Sequence, residues 1–198
     1  MDGSRLFSCA LGAWLILAHL AAPPVQAQER EKFQQGVRYQ IEAVLDEARE
    51  TLVARARVRY THNGPGVMDT LFFHQHLNAF RPNSAWARRD LEFGNRRFTD
   101  LGPDEHAFER LLSLSVDGAP ATFLYPGAPD STVVAVFLPD PLEQGESLTL
   151  LMDWEARPST RPRRQGRRGR HYDFAQWYPR IAVFDEQGWQ GQPLLPQG

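Results

Sequence analysis

From Leu52 to Tyr60 the chain alternates almost without fault. Leu52, Ala54, Ala56, Val58 and Tyr60 fall on one side, Arg55, Arg57 and Arg59 on the other, with Val53 the exception. A two-residue period with one apolar and one charged face is the signature of a strand that is dry on one side and wet on the other. The preceding stretch repeats the pattern, with Val37, Tyr39, Ile41, Ala43 and Leu45 in phase, and Asp46 to Thr51 supplies the turn between them. Two such strands in succession predict an antiparallel pair and make an all-helical fold untenable. Further short apolar runs follow, each bounded by Gly, Pro, Asn or Asp: Met68–Leu77, Ala121–Tyr125, Leu112–Val116 before Asp117-Gly118, Thr132–Leu138 before Pro139, and Ser147–Trp154 after the Glu143–Glu146 turn. Many short strands with turn chemistry between them predict an all-β, antiparallel sandwich of two sheets. One short helix is expected from Ser84, whose hydroxyl suits an N-cap, to about Phe93.

The first residues read differently. Arg5 precedes an apolar run from Leu6 to Ala22, then Pro23-Pro24 and a small-residue Val25-Gln26-Ala27 site. This order predicts a signal peptide over 1–27, cleaved after Ala27, and export to the periplasm or the medium. The run is short for a membrane span and is closed by two prolines; an uncleaved anchor is the alternative. Residues 28–36 are expected to be a flexible mature N-terminus and 37–198 a single β-domain. Cys9 is the only cysteine and lies inside the leader. A mature chain without it has neither a disulfide nor a thiol nucleophile.

The formal charge of -2 gives no general attraction to nucleic acid. Against that background Arg157–Arg170 holds seven arginines interrupted by Pro158, Pro162 and glycines. Such a segment suits phosphate contacts or an acidic partner, but with no interleaved aromatics it reads more simply as a solvated loop. His74 and His76, two apart on an expected strand, would share a face and offer zinc two of its ligands. No third ligand stands out, so hydrogen-bonded structural histidines are the simpler reading. Ser131 after Asp130, and Asp140 near Glu143, are accounted for by turn and surface roles. The sequence contains no His-Glu-x-x-His, Gly-x-Ser-x-Gly, phosphate-cradling loop or Cys-x-x-Cys. No catalytic, cofactor-binding or metal-binding residue is therefore assigned.

The most specific stretch is Gln176-Trp-Tyr-Pro-Arg-Ile-Ala-Val-Phe-Asp-Glu-Gln-Gly-Trp189. Ile181, Val183 and Trp177 alternate as in a short strand, and Asp185–Gly188 is a turn. Trp177, Tyr178 and Trp189 each combine a large apolar surface with a polar handle, suiting them either to line a groove or to cement two elements. Together with Phe73-His-Gln-His-Leu-Asn-Ala-Phe80 and Val136-Phe-Leu-Pro-Asp-Pro-Leu-Glu-Gln-Gly-Glu146, this stretch resembles the N-terminal β-domain of bacterial exported M1-type aminopeptidase-like zinc metallopeptidases, a gluzincin family. The resemblance runs from about Val37 onward. It implies a saddle-like antiparallel domain, incomplete at its C-terminal end, set before a thermolysin-like catalytic domain that holds zinc through His-Glu-x-x-His and a downstream Glu. In such proteins the N-terminal domain borders the substrate cleft. This sequence carries none of the zinc-motif residues, so peptide hydrolysis would need a catalytic domain supplied by a longer product or a separate chain. The expected partners are then that catalytic domain and, in a complete protein, a peptide substrate. An independent exported β-sandwich that binds or docks without catalysis is the second reading, and it expects the three aromatics to form an exposed patch.

Overall fold

The computed structural model describes residues 33–196. The expected leader at 1–27, Cys9 within it, and residues 28–32 lie outside the described residues. In chain order the strands are β1 (Gly36–Asp46), β2 (Thr51–Thr61), β3 (Met68–His74), β4 (Phe108–Val116), β5 (Ala119–Pro120), β6 (Phe123–Leu124), β7 (Val133–Leu142), β8 (Ser147–Arg157), β9 (Gly166–Arg168), β10 (His171–Asp173), β11 (Arg180–Ile181), β12 (Phe184–Asp185) and β13 (Gly188–Trp189). A 3-10 turn at His76–Phe80 and one helix, α1 (Ala85–Glu92), lie between β3 and β4.

The architecture is all-β and antiparallel. Sheet one runs β1-β2-β8-β4-β5 and sheet two β11-β3-β7-β6, with two small hairpins, β9/β10 and β12/β13. The expected first pair forms in unbroken register from Gly36 opposite Thr61 to Asp46 opposite Thr51. Its dry face meets the core as the alternation dictates. Ala54, Ala56, Val58 and Tyr60 of β2 lie beside Leu148, Leu150, Met152 and Trp154 of β8, all buried, facing Leu71 and Phe73 of β3 and Val134 and Val136 of β7 in one cluster. Val53, out of phase in the sequence, falls on the wet face and is exposed. Burying several such side chains, each worth roughly 1.5–3 kcal/mol, is the main force holding the sheets together.

The helix starts where the sequence placed its cap. Ser84 Oγ accepts the Ala87 amide at 2.9 Å and donates to the Ala79 carbonyl at 2.7 Å. Asp130, from the loop before β7, adds a second cap by accepting the Ala85 amide.

Several elements differ from expectation. β3 stops at His74, and His76 belongs to the 3-10 turn. β4 begins at Phe108 rather than Leu112, because an irregularity between Leu111 and Ser113 breaks its alternation. The arginine-rich segment is not a freely solvated loop: it folds into β9/β10 around Gln165, which is buried and accepts the Ser159 amide through Oε1 at 2.6 Å. Arg157 and Arg167 turn inward and donate to the Pro103 and Asp104 carbonyls. Arg163 lies over the Trp86 ring, and Arg170 forms a forked pair with Glu47. Residues 33–36, the described end of the expected mature N-terminus, contact the closing segment. Phe33 packs on Phe184, and Gln35 bonds both the Tyr60 hydroxyl and the Phe184 amide.

Candidate functional site

The conspicuous Trp177–Trp189 stretch closes one side of the sandwich. Gln176 adopts a left-handed φ of 55°, and Trp177 then packs against Trp154 with ring centroids 6.0 Å apart. Trp154 Nε1 donates to the Trp177 carbonyl at 3.1 Å, so the buried indole's polar atom is satisfied. Tyr178 meets the edge of Tyr39. The Tyr39 hydroxyl, on β1, donates to the Pro179 carbonyl and accepts the Ile181 amide at 2.8 Å. From there the chain pairs with β3, Arg180 opposite His74 and Ile181 opposite Phe73. The hairpin β12/β13 brings Trp189 onto Phe72, Tyr60 and Phe184. Trp177, Tyr178 and Trp189 are all partly buried against the main core. They cement sheet one to sheet two.

His74 and His76 do come together, by a different route from the one their spacing predicted. The turn after His74 stacks the two imidazoles with centroids 4.8 Å apart and planes 9° from parallel. His74 Nε2 meets the Gln190 carbonyl at 3.1 Å, which ties the pair to the same seam. Burial lowers both pKa values; for His76, burial, the neighbouring His74 and Arg180 bring it to about 4. Both rings are thus neutral at pH 7. Stacked rings aim their in-plane lone pairs along parallel planes, not at one point, and zinc requires convergent ligands. No group of three or more His, Cys, Asp or Glu side chains with metal-holding geometry occurs among the described residues.

A buried polar hub lies next to this pair, and sequence reasoning missed it. Asn78, in the 3-10 turn, donates to the Glu109 and Ser131 carbonyls at 2.8 and 2.9 Å and accepts the Glu109 amide at 2.8 Å. One side chain therefore joins the turn, β4 and the loop before β7. Glu109 itself points into the core. Burial raises its pKa well above the ordinary 4.5, the Leu77 backbone amide offsets only part of that effect, and neither carboxyl oxygen has a partner in hydrogen-bonding geometry. A neutral acid can be held there. Ser131 Oγ and Gln75 Nε2 are likewise buried without partners. No base reaches Ser131, and Asp130 serves as a cap and turn acceptor, bonding the Thr132 amide at 2.8 Å as well as the helix. The one signal in the sequence was a glutamate two residues before Leu111, in phase with a core position.

No protein-family model matches the chain, and no curated protein matches it. Among solved structures it has a distant likeness to M1 zinc metallopeptidases. A two-domain M1 zinc metallopeptidase mutant bound to L-tryptophan overlaps at TM-score 0.39 and 15% identity, over 63% of this chain and 21% of that one. A mutant M1 zinc metallopeptidase from Deinococcus radiodurans overlaps at TM-score 0.40 and 16% identity, over 67% and 23% respectively. A mutant from the same organism bound to a Tyr-Ser-Ala substrate gives 0.41 and 15%, over 68% and 25%. The chain thus spans about a quarter or less of the length of these structures.

Proposed function

We propose that this chain is an exported, non-catalytic β-scaffold of the kind that precedes the zinc-bearing domain of M1-type aminopeptidases and borders its substrate cleft. The observation that carries the reading is the placement of Trp177, Tyr178 and Trp189 in the seam between the two sheets. A ligand-binding module built on these aromatics would present them to solvent. The three motifs quoted above supply the family direction, because each maps to a structural part here: the 73–80 motif forms the strand end, histidine stack and Asn78 turn; the 136–146 motif forms the end of β7 and the turn into β8; the 176–189 motif forms the seam. On this reading zinc, the water it activates and the general base all belong to another domain. The chain alone holds no zinc and hydrolyses no aminoacyl substrate.

Two measurements test this. Metal analysis of the purified chain after zinc loading and desalting is expected to find no retained zinc, with no zinc-dependent release of an aminoacyl-p-nitroanilide. Retained stoichiometric zinc together with turnover would overturn the reading. Acrylamide quenching of tryptophan emission, with and without a Tyr-Ser-Ala peptide, is expected to show partly shielded indoles unaffected by the peptide. Strong quenching that the peptide relieves would favour the independent binding module.

A further inference from the structure

Sheet edges differ sharply in length in this fold. The terminal strands β5, β6 and β11 have two residues each. β1 has eleven and pairs on one side only among the described residues. Proteins blunt such edges with proline, a bulge, lysine or a covering loop. β1 has no proline and no lysine, and its register with β2 is unbroken. Its apolar residues are also poorly covered: Val44 is 71% exposed, Val37 37% and Leu45 36%, and Ala43 is exposed on the face that turns toward the core.

The charges along this strand select an occupant. On the wet face Arg38 stands directly across from Arg59, a like-charge pairing that costs stability. Glu42 stands across from Arg55, but the Arg55 guanidinium is turned to Asp153 in a forked bond at 2.6 and 3.1 Å. Among the described residues, a cation facing a like charge and an anion whose cross-strand cation is hydrogen-bonded elsewhere therefore lie four residues apart on one edge. If two copies of β1 run antiparallel with Gln40 opposite Gln40, Arg38 of each faces Glu42 of the other, twice by symmetry. On the other face the same register sets Tyr39 against Ile41 and Val37 against Ala43. Shifting it so that Ile41 faces Ile41 leaves Arg38 opposite Val44, with Glu42 and Asp46 only diagonal to it rather than directly across. We propose that β1 is a dimerisation edge, where two copies join their five-stranded sheets into one continuous sheet through the Gln40-centred register. This stands independently of the metallopeptidase reading.

Sedimentation equilibrium of the full chain, in a non-ionic detergent that solvates the apolar segment at 6–22, tests it together with hydrogen exchange of the 36–46 amides. The expected result is a monomer–dimer equilibrium in which those amides become protected as protein concentration rises. Glu42→Arg, and separately Arg38→Glu, should each weaken association by roughly tenfold, since two exposed ion pairs become two repulsions. The double variant Arg38→Glu with Glu42→Arg should restore it. A monomer at every concentration, exchange of β1 independent of concentration, or a double variant no better than the singles would each overturn the proposal. Unchanged near-ultraviolet dichroism in the singles ties their loss to the edge; if either single loses its fold, the exchange of the double variant decides.

Discussion

Glu109 and the histidine stack lie in one core and respond to acid in opposite directions. The native state keeps Glu109 protonated above 4.5, where the unfolded chain has released that proton, so stability falls as pH rises toward its elevated native pKa. His76 behaves in the reverse way. Between 6.5 and about 4 the unfolded chain takes up a proton that the native ring refuses, so stability falls as pH falls, on the order of 2–3 kcal/mol over that window. Above 4.5 the two slopes oppose one another. Glu109→Gln is therefore expected to steepen the rise of stability with pH there and to abolish the opposing decline. His76→Gln should do the opposite and leave the decline from Glu109 uncovered. Urea midpoints measured from pH 4 to pH 8 read both effects, and parallel profiles for the two variants would contradict this assignment of charge states.

At the level of elements, what the sequence made legible follows from where each element's partners lie. β1 and β2 could be read because alternation is local and their turn is short. The helix could be read because Ser84 caps it within three residues. β4 lost its first four residues because the irregularity after Leu111 shifts the phase, so Glu109 and Leu111 share a face with Leu114 and Val116 only after the extra residue is allowed. β7 extends beyond Leu138 through Pro139 and Pro141 because Thr70 pairs with Phe137 while Met68 pairs with Leu142, letting the prolines bulge out of the ladder. The Asn78 hub was out of reach of any local pattern, its acceptors lying 31 and 53 residues away. The Trp177–Trp189 motif was visible, but whether it lined a groove or a seam depended on Trp154 and Tyr39 from distant strands. Trp177→Ala is expected to cost about 3 kcal/mol and to release the 180–190 segment. Hydrogen exchange at Ile181, Ala182 and Gln190, whose amides bond Tyr39, Phe72 and Val183, should rise well ahead of exchange in β2 and β8. Uniform acceleration throughout the domain would mean instead that the seam and the sandwich unfold as one unit.

For the whole molecule, the Ile181, Ala182 and Phe184 amides of the closing segment are taken up by Tyr39, Phe72 and Gln35, and among the described residues the long edge that pairs on one side only belongs to β1. The expected leader predicts that material recovered after export begins at Gln28, which intact-mass measurement reads directly; a mass retaining residues 1–27 would favour the anchored form. The electrostatic anchoring of the arginine-rich hairpin also belongs to this scale. Its inward guanidiniums hold the 103–105 loop and Glu50, which makes the segment a brace across one end of the domain and leaves Arg161, Arg163, Arg164, Arg168 and Arg170 exposed.

The Trp154–Trp177 contact gives the seam an optical signature of its own. Two indoles 6.0 Å apart and tilted by 30° couple their electronic transitions, so the domain should show a paired positive and negative band in circular dichroism that neither ring produces singly. Because one indole sits in the central strand β8 and the other in the closing segment, that couplet reports the distance between them. It offers a way to watch the seam open and shut in solution without any label.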